Sequence, residues 1–152
     1  MLILDQVSKW LVRTRLEPGE SVPLIGDVLH VTHVRNIGAA FGFLPGWRLV
    51  LVTVSTLVIV GVLVYVARIR PKAIWVNISL GLIIAGALGN LIDRVVLARV
   101  TDFVDVVLIN YPVFNVADSA VVVGVSMLIA WVLFGPERED FEEADDSENE
   151  PL

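Results

Sequence analysis

A membrane α-helical protein with four transmembrane helices is the fold class this sequence predicts, and three observations predict it. Of 152 residues, 56% are hydrophobic even with the 11 glycines left out of the count, whereas an average globular chain reaches about 45–50% with glycine included. Mean hydropathy is +0.78. Three uncharged runs of 19, 20 and 18 residues, Leu49–Ala67, Ala73–Ile92 and Ser119–Pro136, are each long enough to cross a bilayer.

Charge divides the chain in two. The formal net charge is −6, but Glu137–Leu152 holds nine acids and one arginine, which leaves residues 1–136 at +2. The expected organisation is one integral membrane domain, residues 1–135, and an acidic, disordered cytoplasmic tail, residues 136–152. No nucleic acid partner is expected. The absence of cysteine excludes a disulfide framework, a thiolate nucleophile and a zinc–thiolate site. His30 and His33 are too few for a histidine-rich metal cluster.

The first element, Met1–Val12, reads as an apolar helix interrupted by Asp5 and Lys9. Four positions apart, they share a face, with the acid N-terminal to the base in the better orientation. Twelve residues span only ~18 Å of a ~30 Å hydrocarbon layer, so this first crossing is short. It lacks a basic leader and a small-residue cleavage site, so an upstream start or a trimmed chain is expected rather than a cleavable signal peptide.

Arg13–Trp47 is polar and rich in Gly and Pro. Within it, Val28–Arg35 alternates and is β-branched, which predicts a strand or hairpin, with Pro23 and Gly26-Asp27 supplying turn chemistry before it. Asn36-Ile37-Gly38-Ala39-Ala40-Phe41-Gly42 follows, a run of small residues that permits close backbone approach. After the first long run, Arg68, Arg70 and Lys72 flank Pro71 in a short basic loop. The positive-inside tendency places that loop in the cytoplasm. Both termini are then cytoplasmic, and Gly89–Asp118 faces outward.

Four of the eight carboxylates ahead of the tail fall in Gly89–Asp118: Asp93, Asp102, Asp105 and Asp118. Acids at the rim of a lipid-soluble body are costly to desolvate. Asp102 lies past the outer end of the third run and Asp118 at the entry to the fourth, so a folded-back connection would bring them together. Two close carboxylates share one proton. The ionised member can then take a proton from water while the protonated member polarises a scissile carbonyl. Local sequence also supports plainer roles. Asn115-Val116-Ala117-Asp118 has the form of a capping box, Asp102 could be a solvated loop acid, and Asp105 could equally be the partner. Asn90, Asp93 and Arg94 end the third run as an interfacial anchor or as support for the acids. Gly86 and Gly89, with Ala85 and Ala87, form a face suited to close helix packing.

Five motifs in one order, Asp5-Gln6-x-x-Lys9, Asn36-x-Gly38-Ala39-Ala40-Phe41, Gly86 through Arg94, Val100-x-Asp102-Phe103 and Phe114-Asn115-x-Ala117-Asp118, resemble lipoprotein signal peptidase (signal peptidase II). The resemblance covers roughly residues 2–135. It implies a membrane aspartic endopeptidase with Asp102 and Asp118 as the catalytic dyad. Asn36, Asn90, Asp93, Arg94 and Asn115 match the active-site surround, and Asp5 and Lys9 match the first-helix motif. The implied substrate is a prolipoprotein carrying diacylglycerol on its lipobox cysteine, cut just before that cysteine. The stretch around Val28–Phe41 corresponds to an extracytoplasmic β-rich cradle over the substrate. Membrane lipid is the implied surrounding partner, a monomer is expected, and no metal or organic cofactor is implied. The expected location is the bacterial cytoplasmic membrane, with the active site at its outer face. Three residues depart from the pattern: Ala85 and Ala98 stand where the family often has Gly, and Thr101 where it often has Val.

Two other classes compete. A small ion-coupled transporter would use Asp93 as its proton site, although the acids sit at or beyond helix ends and the long runs lack ionisable residues. A structural assembly protein would merely pair its loop acids with Arg94 and Arg99.

Overall fold

The computed structural model describes residues 1–38 and 47–135. Residues 39–42 of the small-residue run Asn36–Gly42 and the whole acidic tail, residues 136–152, therefore lie outside the described residues. The elements run α1 (Leu2–Arg15), β1 (Ser21–Ile25), β2 (Leu29–Asn36), α2 (Arg48–Ile69), α3 (Ile74–Leu97), β3 (Val100–Asp105), a single 3₁₀ turn (Val107–Ile109) and α4 (Val116–Phe134). Three helices, α2, α3 and α4, are long and apolar enough to cross a membrane.

Most of α2 presents bare hydrocarbon, and Ile59 is its one buried residue among those described. Such a surface suits lipid, where neighbouring chains need not hide it. Helix α1 is inverted in the same sense. Asp5, Lys9 and Val12 form its buried stripe, while Ile3, Leu4, Val7 and Trp10 are exposed. Its polar groups are the inward ones, and the fold must satisfy them internally.

Glycines bring the helices together. A methyl on Gly86 would collide with the Ala117 carbonyl and Val121 of α4, and one on Gly89 would lie 2.5 Å from an Asp5 carboxyl oxygen of α1. The small-residue face predicted on α3 is thus the seam on which α4 and α1 meet.

The three strands form an antiparallel sheet in the order β1-β2-β3. Two details differ from the sequence reading. Pro23 sits inside edge strand β1, opposite His30, rather than in the turn; an edge strand tolerates the missing N–H. Strand β3 had no counterpart among the expected elements. Its residues read as a polar connector because Asp102 and Asp105 interrupt the apolar alternation. Helix α3 also continues past Ile92 to Leu97, so Asp93 and Arg94 lie within a helix rather than at its end. The helix tolerates Asp93 there because cations from α1 meet it.

A bulge in β2 decides what faces the site. Val31 pairs with Val104 and Val34 with Asp102, so β2 carries one extra residue between them. The extra residue reverses the in–out alternation. Thr32 consequently donates to Asp105 at 2.6 Å on one face, while Asn36 donates to Asp102 at 2.9 Å on the other.

Candidate active site

The connector between β3 and α4 folds back as the paired-acid reading requires. The Phe114 N–H donates to the Val104 carbonyl at 3.1 Å, and the Phe114 carbonyl accepts from the N–H groups of Phe103 and Val104 at 2.9 and 2.7 Å. Asn115 follows at once as the N-cap of α4. Its side-chain oxygen accepts from the Asp118 N–H, and the Asp118 carboxylate accepts from the Asn115 N–H at 3.2 Å, which completes the capping box. The Asp5 carboxylate adds a second cap by accepting from the Ala117 N–H at 2.9 Å. Three orphan donors of the first turn and its cap are thereby met by two acids and an amide, at the positive end of the helix dipole.

The two acids named from the sequence come together around Asn115. Its Nδ2 donates to Asp102 Oδ1 at 2.6 Å and to Asn90 Oδ1 at 3.2 Å. Asn90 Nδ2 in turn donates to Asp118 Oδ1 at 2.7 Å. The amide orientations are forced. Lys9 Nζ, which can only donate, lies 2.9 Å from Asn90 Oδ1, so the Asn90 NH₂ must turn to Asp118. Each of the four carboxylate oxygens therefore has a protein donor.

Beneath the amides lies a charge cluster in which Asp5, Lys9 and Asp93 are buried and Arg13 is partly exposed. Lys9 is 0% exposed and contacts Asp5 at 2.9 Å and Asp93 at 3.5 Å. Arg13 reaches Asp93 at 3.6 Å. Asp93 also accepts from the Thr101 N–H at 3.0 Å, and Gln6 ties Asp5 to the Gly89 carbonyl. Two cations balance two acids here, as burial demands. Asp93 is therefore committed to holding α1 and β3, which removes the ground for a proton-carrying role. Among the described residues every ion pair involves Asp5 or Asp93. Asp102 and Asp118 are thus not occupied in pairing with Arg94 or Arg99.

Asp102 and Asp118 both line a cavity of about 460 Å³. One end is polar, with Asn36, Asn90 and Arg94 beside the two acids. The remainder is apolar, walled by Val54 and Val58 of α2, Ile83 of α3 and Val121 of α4. Arg94 makes long contacts, 3.5 Å each, to the carbonyls of Asn90 and Gly38. Burial pushes the Asp102 carboxyl up to about 6 from 3.8. The Asn36 amide pulls it back, the neighbouring Asp118 adds to the rise, and Asn115 and Lys9 oppose it. Asp105 lies on the other face of β3 and bonds Thr32, so it is not the partner of either acid.

All nine residues named in advance occupy one connected network. Three contributors were not foreseen: Arg13, the Thr101 hydroxyl, and the Tyr111–Pro112–Val113 wall of the cavity. Arg13 could have been found as the residue one turn beyond Lys9. The wall carried no such sign.

A family model described as signal peptidase (SPase) II matches residues 1–134. The chain is 46% identical over 138 residues to the lipoprotein signal peptidase of Geobacillus thermodenitrificans, covering 88% of this chain and 85% of that protein. It is 41% identical over 135 residues to the lipoprotein signal peptidase of Bacillus subtilis, covering 88% of each. A solved bacterial membrane enzyme, determined by the in meso method, superposes with a TM-score of 0.84 at 32% identity, covering 91% of this chain and 88% of that one.

Proposed function

The chain belongs to the signal peptidase II family, and we propose that Asp102 and Asp118 are the dyad with which it removes the signal peptide from a prolipoprotein. It is a bacterial membrane protease of lipoprotein processing. The observation that carries the dyad assignment is the pair of carboxylates lining one cavity, Asp102 buried and Asp118 half-buried, linked through Asn115 and Asn90.

In the reaction one carboxylate takes a proton from the attacking water while the protonated partner donates to the scissile carbonyl oxygen. The tetrahedral intermediate then collapses as a proton passes to the leaving amine. Asn36, Asn90 and Asn115 hold the carboxyls in place, and Arg94 offers positive charge at the polar end of the cavity. The apolar walls suit acyl chains, which supports a diacylglyceryl-modified substrate cut just before the lipidated cysteine.

Helix α1, about 21 Å long at ~1.5 Å per residue, serves as a fourth, shortened crossing. The sheet forms an outward-facing cradle, because it lies at the end of α3 opposite the basic Arg68–Lys72 loop. The protein is read as a monomer embedded in membrane lipid. Residues 1–135 form the peptidase domain, and the tail beyond is a cytoplasmic appendix.

Incubation of the purified protein with a diacylated prolipoprotein and with its unlipidated form tests this reading. Release of the signal peptide from the diacylated form alone is expected. Equal cleavage of both forms would remove the lipid-binding role of the cavity.

A further inference from the structure

The geometry points to Arg13 as a positioning residue for the hydrolysis: it grips the Thr101 side chain while Asp93 grips the Thr101 backbone, and together they fix the place on β3 from which Asp102 reaches the cavity. The inference rests on the dyad reading above.

Arg13 lies one helical turn beyond Lys9 on α1, on the same face. One guanidinium nitrogen donates to Thr101 Oγ1 at 3.1 Å and lies 3.6 Å from Asp93 Oδ1. The other oxygen of Asp93 accepts from the Thr101 N–H at 3.0 Å. Thr101 is therefore held at two atoms from one side, by residues of two helices. Thr101 is 2% exposed and Asp93 is 1% exposed, so water is kept from the bond between them, while the Arg13 side chain is only partly covered. Successive strand residues point to opposite faces, so Thr101 faces the charge cluster while Asp102 faces the cavity. Arg13 does not line that cavity and acts only through the strand. Bonds at the side chain and the amide of residue 101 oppose both twisting and sliding of β3. Either movement would shift the Asp102 carboxyl relative to Asp118, which rides on α4.

The decisive variant is Thr101→Val. It keeps the shape of the side chain and removes only the oxygen that receives Arg13, so folding is preserved. Single-turnover and steady-state cleavage of a diacylated prolipoprotein would be measured for the full chain, Thr101→Val, Arg13→Gln, the double variant, Thr101→Ser and Asp102→Asn. Thr101→Val and Arg13→Gln are each expected to lower kcat about tenfold, as a small misplacement of a reacting group does, with KM unchanged. The double variant should be no slower than Arg13→Gln alone, because that change already removes the bond to Thr101 along with the contact to Asp93. Thr101→Ser, which retains the hydroxyl, should restore the rate.

Wild-type kcat in Thr101→Val, a loss confined to KM, or additive losses in the double variant would overturn the positioning role. If Asp102→Asn is inactive while Thr101→Val is unimpaired, only this inference falls. If Asp102→Asn cleaves normally, the dyad reading itself has failed.

Discussion

Asn115 donates to Asp102 across 2.6 Å and in the same conformation caps the helix that carries Asp118. One residue thus sets the first acid's partner and the second acid's backbone. Capping and a catalytic role are compatible readings of the Asn115–Asp118 segment; the structure shows the capping box, and the same Asn115 side chain bonds Asp102.

Asn115→Ala should therefore fail twice. Loss of the cap costs about 1–2 kcal/mol of stability, and loss of the bridge frees the Asp102 carboxyl. Thermal unfolding in detergent and kcat should both fall, the latter by about a hundredfold. A variant that loses stability but keeps kcat would show that the bridge is dispensable.

Lys9→Met should be among the most damaging substitutions. It leaves Asp5 and Asp93 with Arg13 as the one remaining cation of the cluster, and breaking a buried ion pair costs about 3–5 kcal/mol. It also releases the Asn90 amide to turn away from Asp118. A sharp fall in the unfolding midpoint is expected, and a midpoint equal to wild type would contradict the cluster's role.

The pH dependence follows from Asp102, whose folded value of about 6 exceeds its ordinary 3.8. Between those values the folded chain holds more proton than the unfolded chain, so this group's contribution to stability falls as pH rises and levels off above the folded value. The difference corresponds to about 3 kcal/mol. Asp102→Asn should abolish it, so the stability of the variant relative to wild type should rise from acid to neutral pH. A relative stability independent of pH would contradict the buried setting of Asp102.

Ala98 ends α3 with φ +60°, in the left-handed region. The family pattern often has glycine at this position, and the backbone supplies the reason: the conformation costs an L-residue about 1–2 kcal/mol that glycine escapes. Ala98→Gly should raise the unfolding midpoint and leave kcat unchanged. A lowered midpoint would mean that the methyl group contributes packing instead.

The long helices were legible because no charged residue interrupts the runs Leu49–Ala67, Ala73–Ile92 and Ser119–Pro136. The paired acids were legible because carboxylates are rare at a membrane rim. Strand β3 was not, since its two aspartates face opposite sides of a sheet whose partner strand lies some seventy residues earlier. The bulge that sends Asn36 to Asp102 and Thr32 to Asp105 left no local mark either. Nor did single residues reveal that Lys9 orients Asn90, because the contact joins α1 to α3. Tertiary pairing decides each of these, and periodicity within one segment does not carry it.

The decisive measurement is cleavage of a diacylated prolipoprotein by Asp102→Asn and Asp118→Asn, each first verified as folded by its unfolding midpoint. Neither variant should release signal peptide at a measurable rate, since one carboxyl cannot serve as both base and acid. Wild-type cleavage by either folded variant would contradict the shared-proton dyad.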